Sequence, residues 1–407
     1  PTGTAALNAG GVTIHSFFHF TPGIQPQEAA QVRPRNEGLF RALECLIIDE
    51  ASMVRADLFD CIERFLRRNG PRPGQAFGGV AIMLVGDLYQ LEPVCHQSER
   101  LLLRHYSSPF FFSSSAYQDT LGFFRGGFAT MELTQPFRQR ERNFLQALDA
   151  VRDGSAGPEH LELINGRVRP MSTRSTMDYL AEADATMLTT HRDQARDWNK
   201  RMLATLPGAT ESFEARIIGK FPGDQFPTDQ NLSLKEGAKV MMMRNNLPFW
   251  VNGTIARVVD INRHGVGVEL PSGLQALVED DSWEHYEYKL VEGEVQRVTD
   301  GRFIQLPLRL AWASTIHKAQ GVTLDRAMVN LTRKPFACGQ LYVALSRLRT
   351  LEGLTLSRPV QREDIKVAPA VRQFMSDSTN PGLVLPTFKA RPANEIGPTP
   401  LVEWPDD

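Results

Sequence analysis

Two short apolar runs, each followed directly by acidic residues, constrain the fold of this chain more than any other feature. Residues 46–48 (LII) precede Asp49 and Glu50, and residues 80–85 (VAIMLV) precede Gly86 and Asp87. Neither run alternates with polar residues. Both are therefore predicted to be strands buried on two faces, as in a parallel sheet.

The segment between the two runs predicts a helix. Within residues 57–68, the apolar side chains share one stripe at helical spacing: Leu58, Ile62, Phe65 and Leu66. A Gly- and Pro-rich loop, residues 69–79, follows it. Strand, helix and strand in this order predict an α/β fold that binds its ligand at the carboxyl ends of the strands.

Composition excludes several classes of protein. The 407 residues are 42% hydrophobic and 23% charged, as in globular proteins, which excludes a disordered chain and a coiled coil. No apolar run approaches the roughly 18 residues of a membrane span, so no membrane partner is expected. The cysteines stand far apart without a C-x-x-C pair, which predicts reduced core thiols in an intracellular protein: Cys45, Cys61, Cys95 and Cys338. The compartment stays open: nucleus or mitochondrion in a eukaryote, cytoplasm in a bacterium.

The polar residues at the strand ends suit phosphate chemistry. One carboxylate, Asp49, can hold a Mg²⁺ ion that bridges phosphates, while Glu50 orients a water for in-line attack. Gln90 follows the second strand and Asp87, and it can contact a terminal phosphate. Two alternatives stay open: a surface acidic pair without function, and a two-metal nuclease using Asp49, Glu50 and Asp87.

Two isolated arginines are candidates for stabilising phosphate charge. Arg138 lies in PFRQ and Arg347 in LSR, each beside a turn or a helix end. A planar guanidinium suits the charge that spreads over a γ-phosphate in the transition state. In isolation, either arginine could equally form an ordinary salt bridge.

The fragment Thr-Ile-His occurs twice, at residues 13–15 and 315–317. Hydroxyl, imidazole and lysine groups in a row suit contacts to the phosphates of a nucleic-acid strand, and the candidates are His15, Thr315, His317 and Lys318. The alternative is a buried helix start with a satisfied histidine. His15 and His19 have a helical metal spacing, but no Glu or Cys is placed to complete a zinc site.

Residues 140–307 separate the two regions that carry motifs. Within them, residues 238–245, 254–261 and 265–270 are predicted strands joined by Asn-Gly and His-Gly turns. They predict a small barrel inserted into a larger α/β domain. The last segment, 380–407, holds six prolines in 28 residues, which predicts an extended tail.

In order along the chain, these motifs resemble those of the Pif-type DNA helicases, in the RecD-like branch of superfamily one. Six spaced motifs in the right order are far more specific than any one of them. The matching stretches are 1–6 (PTGTAA) with 13–16 for motif Ia, 47–54 (IIDEASMV) for motif II, 77–79 with 84–94 (LVGDLYQLEPV) for motif III, 133–139 (LTQPFRQ) for motif IV, 306–323 for motif V and 339–347 (GQLYVALSR) for motif VI.

The resemblance implies a fold and a division into domains. It implies two RecA-like α/β domains of the P-loop NTPase type with parallel sheets, and an inserted small SH3-like β-barrel, which the WVNG stretch at 250–253 resembles. The expected divisions are 1–130 for the first domain, 131–235 and 305–379 for the second, 236–304 for the barrel and 380–407 for the tail.

The resemblance also implies roles for particular residues. The catalytic set would be Glu50 as base, Asp49 as the Mg²⁺ ligand, Gln90 at the γ-phosphate, and Arg138 and Arg347 as arginine fingers. Asp87, Gln320 and Gly321 would serve the nucleotide, the last two coupling it to the DNA grip. The DNA contacts would be Thr2, His15, Thr315, His317 and Lys318.

The implied activity is ATP-dependent translocation on single-stranded DNA and unwinding of forked DNA, 5′ to 3′, by a monomer. DNA repair, recombination and telomere or genome maintenance are the processes that the family serves.

Two departures from the family pattern stand out. Glu92 occupies a position where the family usually has proline, a local change that is expected to be tolerated. The residues also contain no G-x-x-x-x-G-K-[ST] phosphate loop, which is expected upstream of Pro1 in an N-terminally incomplete chain whose own ATPase activity is impaired. The alternative is a non-catalytic DNA-binding remnant of a helicase.

The net charge of −2 hides two opposed regions. From Arg309 to Arg349 there are seven basic residues against one acid, a balance of +6. From Glu269 to Asp300 there are nine acids against two basic residues, a balance of −7. The basic motif region is therefore predicted to face DNA, and the acidic part of the insert is not.

Overall fold

The computed structural model of the chain describes residues 11–21, 23–34, 37–95, 102–123, 128–133, 136–221, 223, 226–246, 248–250, 252–291 and 294–378. Thr2 and the proline-rich segment 380–407 lie outside the described residues. None of the helices that the structure describes has the length and apolar character needed to cross a bilayer.

Helices and strands alternate in the regions that carry motifs, and strands dominate the middle of the chain. The described helices are α1 (Ile14–Phe18), α2 (Pro26–Ala29), α3 (Glu37–Arg41), α4 (Ala56–Asn69), α5 (Ser115–Phe123), α6 (Arg142–Asp153), α7 (Pro158–Asn165), α8 (Thr173–Glu182), α9 (Arg192–Thr205), α10 (Gln340–Ser346) and α11 (Pro369–Ser378). The strands are β1 (Cys45–Ile48), β2 (Ala81–Leu84), β3 (Thr186–Thr189), β4 (Glu211–Glu214), β5 (Arg216–Gly219), β6 (Asn231–Leu234), β7 (Lys239–Met242), β8 (Ile255–Asn262), β9 (Gly265–Glu269), β10 (Gln275–Val278), β11 (Asp281–Val291), β12 (Glu294–Gln305), β13 (Leu308–Leu310), β14 (Ala313–Thr315), β15 (Ala327–Asn330) and β16 (Leu354–Leu356).

The two apolar runs near the start of the chain form a parallel pair of strands, β1 and β2, as predicted. Ile48 packs into a core cluster with Ile62 and Phe65 of α4. The opposite face is open in the described part of the chain, where Ile47 is 62% exposed and Met83 53% exposed. The prediction that both strands are buried on two faces is therefore wrong for this face, which β1 and β2 turn away from the core cluster.

The predicted amphipathic helix is confirmed as α4. Its buried stripe contains Ile62, Phe65 and Leu66 as predicted, and Phe59 is fully buried while Leu58 is only partly buried. The helix ends at Asn69 and is capped by Gly70. Gly78 of the following loop lies so close to the Leu66 carbonyl that a side chain at this position would clash with it. We call β1, β2 and the helices around them the first unit.

A second parallel sheet forms the centre of the rest of the chain. Its strand order is β14-β3-β15-β16, and every pair in it is parallel. All residues of β3 (TMLT) and β15 (AMVN) are buried, as expected for the inner strands of a parallel sheet that is covered on both faces. We call this sheet and its helices the second unit. The two parallel sheets with their helices confirm the predicted α/β class.

The middle of the chain is antiparallel. A five-stranded sheet has the order β10-β9-β8-β7-β13, and the three strands predicted in this region correspond to β7, β8 and β9. The long hairpin β11–β12 pairs through β12 with β5. The positions of these three predicted strands are confirmed. The SH3-like fold of the insert stays a prediction.

The two units pack directly against each other. Leu91, in the loop after β2, is fully buried in a cluster with Phe144 of α6 and other residues of the second unit. In the opposite direction, Phe374 of α11 stacks on Phe112 of the first unit, with ring centroids 4.4 Å apart. The predicted division assigns α11 to the second domain, but α11 packs on the core of the first unit.

The four cysteines are free thiols, but they are not all in the core. Cys61 is buried, Cys95 and Cys338 are partly buried, and Cys45 is exposed. The prediction of core thiols is therefore wrong for Cys45, because it lies on the open face of β1.

Candidate functional site

The acidic pair lies in a tight turn at the carboxyl end of β1. Glu50 has φ of 52°, in the left-handed region that non-glycine residues rarely adopt, and a short 3-10 turn begins after it. Its backbone N–H donates to Oδ1 of Asp49 at 2.8 Å. Such strain persists only where the surrounding structure enforces it, and it often marks functional residues.

Gln320 of the second unit reaches across to this pair. Its Nε2 donates to Oε2 of Glu50 at 3.0 Å and lies 3.4 Å from Oε1 of Gln90. Gln320 is buried, and its own Oε1 has no hydrogen-bond partner among the described residues. Three residues predicted from three different motifs therefore meet at one point, beside a buried acceptor that is free to bind a donor.

The environment of Glu50 changes its acidity. Burial raises the pKa of the Glu50 carboxyl above its usual value, and the neighbouring Asp49 raises it further, while Gln320 and Arg347 act in the opposite direction. A carboxylate whose pKa is shifted toward neutral pH is better suited to accept a proton during catalysis.

The two candidate arginines meet at the C-terminal end of α10. Nη1 of Arg138 donates to the carbonyl oxygen of Ser346 at 2.8 Å, and its Nε donates to Oγ1 of Thr323 at 3.1 Å. Nη2 of Arg347 donates to Oγ of Ser346 at 2.8 Å. Ser346 thus joins both guanidinium groups through its backbone and its side chain.

Neither arginine forms an ion pair with a carboxylate in the described part of the chain, so the ordinary salt-bridge interpretation has no support there. Arg347 is 2% exposed. Burial and the nearby Arg138 lower the pKa of Arg347 to about 10, against the opposing effect of Glu50. Arg347 is buried and Arg138 is partly buried, and two such cations without a carboxylate partner among the described residues favour the binding of an anion between them and Glu50.

Asp87 has partners that the sequence did not reveal. Its Oδ1 accepts from Nε of Arg152 at 3.1 Å, and the guanidinium carbon of Arg152 lies 4.5 Å from the ring centroid of Tyr89. Burial and then the Asp87 carboxylate raise the pKa of the Tyr342 hydroxyl. Asp87 therefore connects the first unit to α6 and α10. Because its carboxylate is paired with Arg152, it is not free to serve as the third metal ligand that a two-metal nuclease would use.

The loop after β2 also contacts the start of α10. Gly339 has φ of 72°, and a Cβ at this position would clash with the carbonyl oxygen of Gln90. Only glycine permits both this backbone conformation and this close approach. At the position that departs from the family pattern, Glu92 interacts with the Cys338 thiol, and burial and this carboxylate raise the pKa of Cys338.

The second Thr-Ile-His fragment forms a 3-10 turn rather than an α-helix. Oγ1 of Thr315 accepts from the backbone N–H of Lys318 at 3.4 Å, so the hydroxyl caps the turn. Ile316 is fully buried, His317 is partly buried and Lys318 is exposed. The turn combines a buried anchor with an exposed cation, and it leads directly to Gln320 and Gly321.

The first Thr-Ile-His fragment begins α1. Oγ1 of Thr13 accepts from the backbone N–H of Ser16 at 3.3 Å, and His15 is partly buried. The described residues contain no group of three or more His, Cys, Asp or Glu side chains arranged to hold a metal ion.

Residues 1–160 match the family model described as PIF1-like helicase. The chain is 35% identical to human ATP-dependent DNA helicase PIF1 over 370 residues, which are 87% of this chain and 52% of that protein. It is 31% identical to ATP-dependent DNA helicase Pif1 of Bdellovibrio bacteriovorus, over 87% of this chain and 76% of that protein. The chain thus spans about half the length of the first curated relatives it matches, such as the rat and human helicases at 53% and 52%.

The fold is similar to that of solved Pif1 helicases. A crystal structure of Pif1 helicase from Bacteroides, in complex with ADP-AlF3 and single-stranded DNA, matches with a TM-score of 0.78 and 34% sequence identity. The match covers 94% of this chain and 87% of that chain. The two α/β units are accordingly RecA-like domains.

Proposed function

Because this chain belongs to the PIF1-like helicase family, we propose that it is the motor part of an ATP-dependent DNA helicase. ATP binds between the two RecA-like units, and single-stranded DNA binds at the carboxyl edges of their sheets. One observation carries the proposal: Gln320 of the second unit donates a hydrogen bond to Glu50 of the first, near the buried Arg347 and the partly buried Arg138, neither of which pairs with a carboxylate among the described residues.

In the proposed reaction, Glu50 accepts a proton from the water that attacks the γ-phosphate. Its raised pKa suits this role, and the free Oε1 of Gln320 is a second acceptor that can orient the same water. Arg138 and Arg347 stabilise the charge on the transferring phosphoryl group, and Gln90 contacts the γ-phosphate. Asp87 acts on the nucleotide through the inter-unit contact that it makes with Arg152.

The residues present fit a Mg²⁺ ion that is held mainly by the nucleotide. Such ions are bound by one or two carboxylates together with phosphate oxygens and water, and Asp49 offers one carboxylate at the strand end. The Glu50 N–H fixes Oδ1 of that carboxylate. Bound Mg²⁺ supplies neutralisation of the charge on the β- and γ-phosphate oxygens.

The DNA strand is bound by His15 on the first unit and by Thr315, His317 and Lys318 on the second, together with Thr2. Gln320 and Gly321 couple these DNA contacts to the nucleotide, because they directly follow the 3-10 turn Ile316–Ala319 that Thr315 caps, the Thr315 turn. The cleft closes when ATP binds and reopens after hydrolysis. The DNA contacts of the first unit and those of the second unit therefore move alternately along the strand, and this movement is translocation. We propose 5′-to-3′ movement, forked DNA as substrate, action as a monomer, and roles in repair, recombination or telomere maintenance.

The test is ATP hydrolysis by the gene product, expressed with whatever coding sequence precedes Pro1 and referred to below as the full gene product. We expect single-stranded DNA to accelerate hydrolysis at least tenfold, because Gln320 links the DNA-binding turn to Glu50. A rate that does not respond to single-stranded DNA would contradict the proposal.

A second candidate is a non-catalytic DNA-binding remnant. It is favoured by one observation: no G-x-x-x-x-G-K-[ST] phosphate loop occurs in these residues. Binding of single-stranded DNA without any nucleotide hydrolysis by the full gene product would support the remnant. Measurable DNA-dependent hydrolysis would exclude it.

A further inference from the structure

Three aromatic side chains follow the carboxyl ends of three adjacent strands in the second sheet. His317 follows β14, His191 follows β3 and Phe336 follows β15, and these strands are neighbours in the order β14-β3-β15. Because the strands are parallel, all three side chains belong to one edge of the sheet, where ligands bind in open α/β folds.

Phe336 contacts both histidine rings. Phe336 stacks on His317 with centroids 5.9 Å apart and an interplanar angle of 16°. Its other neighbour is His191, at 5.0 Å and 56°. Phe336 is nevertheless 57% exposed, so much of the ring is open to solvent. An exposed aromatic ring supported by others is a surface on which a further flat group can stack.

Buried hydrogen bonds fix the loops that carry these rings. The backbone N–H of Phe336 donates to Oε1 of Gln340 at 3.0 Å, and Nε2 of Gln340 donates to the carbonyl oxygen of Thr190 at 3.2 Å. Gln340 is fully buried. Oγ1 of Thr190 lies 2.7 Å from Nδ1 of His191. The rings are thus pre-organised, and little conformational entropy is lost when a ligand stacks on them.

Exposed cations lie close to the three aromatic residues along the chain. Arg192, Lys318 and Lys334 are neighbours in sequence of the three aromatic residues and are exposed. Burial and Arg192 lower the pKa of His317, so this imidazole is neutral at physiological pH and stacks as an uncharged ring. Positive charge beside an aromatic surface is the combination that single-stranded nucleic acids bind.

We propose that Phe336, supported by His317 and His191, is a stacking platform for one unpaired base of single-stranded DNA. The proposal rests on the proposed function and adds a base contact to the phosphate contacts of Lys318 and its neighbours. Every base has a flat π-face, so the platform can stack on any base. It therefore adds affinity for single-stranded DNA without sequence preference.

The platform stands at one end of α10, and the two arginines meet at the other end. Gln340, which holds the platform loop, is the first residue of this helix, and Ser346, which joins Arg138 and Arg347, is its last. The six steps between them span about 9 Å. A shift of α10 when the cleft closes on nucleotide therefore moves the stacked base together with the arginines.

The test compares two strands of equal length and charge, an oligo-dT and a fully abasic oligonucleotide, by fluorescence anisotropy on the full gene product. Phe336→Ala is expected to weaken binding of oligo-dT about 5- to 100-fold. It is expected to leave binding of the abasic strand and of blunt duplex DNA within about twofold. Phe336→Trp keeps a ring and should bind oligo-dT as the unmodified protein does.

Controls separate loss of the ring from loss of structure. Leu277→Ala removes another partly exposed apolar side chain, 45% exposed on β10, and should change nothing. Phe336→Leu keeps apolar volume without a ring and should behave like Phe336→Ala; it replaces that variant if the alanine protein does not fold.

The outcomes distinguish the platform from the proposed function. Equal losses on oligo-dT, abasic strand and duplex would overturn the platform, as would no loss on oligo-dT or a failure of Phe336→Trp to bind. In those cases DNA-stimulated hydrolysis would persist and the proposed function would stand. Absence of any binding to single-stranded DNA by the unmodified protein would instead reject both.

Discussion

Nε2 of Gln320 donates a hydrogen bond to Oε2 of Glu50 at 3.0 Å, which joins a turn of the second unit to the acidic pair of the first. The same amide lies 3.4 Å from Gln90. Gln320 follows the Thr315 turn, for which we propose DNA contacts. The position of that turn and the environment of the proposed base are therefore physically linked.

Gln320→Ala should uncouple hydrolysis from DNA. Without the amide, movement of the turn no longer reaches Glu50, so the ratio of hydrolysis rates with and without single-stranded DNA should fall about tenfold. Basal hydrolysis should fall as well, because the same side chain supplies the second acceptor for the attacking water. ATPase rates of the full gene product with and without oligo-dT measure this. The matched control is Gln373→Ala on α11, whose amide bonds only to Asp377 in the described chain and which should keep full stimulation. Unchanged stimulation in Gln320→Ala would show that the hydrogen bond carries no coupling.

Glu50→Gln should stabilise the protein at neutral pH. Because the folded-state pKa of Glu50 is raised, mainly by burial, its ionised form opposes folding above that pKa. The neutral amide removes this cost, so the melting temperature should rise by a degree or more at pH 7.5. The gain should shrink as the pH falls through the raised pKa and vanish near pH 4, where Glu50 is protonated in both the folded and unfolded states. A gain that is the same at both pH values would contradict the raised pKa.

Arg347→Lys should lower ATP turnover about 10³-fold, although it conserves the positive charge. The planar guanidinium of Arg347 donates to the Val343 carbonyl oxygen and to Ser346 Oγ, and it keeps further N–H donors for a phosphate. A lysine ammonium cannot make all of these hydrogen bonds in the same geometry. Steady-state turnover of the full gene product is the measurement. Arg349→Lys is the control, because Arg349 is exposed and pairs with Asp325 at 2.9 Å, and its turnover should stay within about twofold. Equal turnover in the two variants would remove Arg347 from the reaction.

Lys318→Ala should weaken DNA binding alike for all sequences. An exposed lysine that neutralises one phosphate releases counterions, so its loss should reduce the slope of log K against log salt by about 0.7 on single strands. Titrations with oligonucleotides of different sequence at several salt concentrations measure both effects. A loss confined to particular sequences would indicate base recognition, and an unchanged slope would mean that Lys318 touches no phosphate.

The α/β class, α4 and the strand that ends in the acidic pair could be predicted because each depends on a local pattern. The helical spacing of apolar residues and the acidic residues that directly follow a strand can both be recognised within a short stretch of sequence. Burial of β1 and β2 was predicted less well, since Ile47 and Met83 are apolar and yet exposed. An apolar run indicates a strand, but which of its faces is covered depends on elements elsewhere in the chain.

The partners of the site residues could not be predicted. Asp87 pairs with Arg152, Arg138 with Ser346 and Phe336 with His317, and in each case the fold alone brings the two residues together. The resemblance to a family located Glu50, Gln320 and Arg347 individually. That Ser346 joins both arginines, and that an exposed Phe336 stacks on a histidine, depends on the tertiary structure and has no signal in the sequence.

The central claim is that Glu50 is the base of an ATP-hydrolysing cleft, and one variant tests it most directly. In the full gene product, Glu50→Gln should bind ATP and single-stranded DNA within about threefold of the unmodified protein. Its ATP turnover with saturating oligo-dT should nevertheless fall by about 10³-fold or more, whereas the exposed Glu37→Gln on α3 should hydrolyse normally. Near-normal turnover in Glu50→Gln would contradict the account.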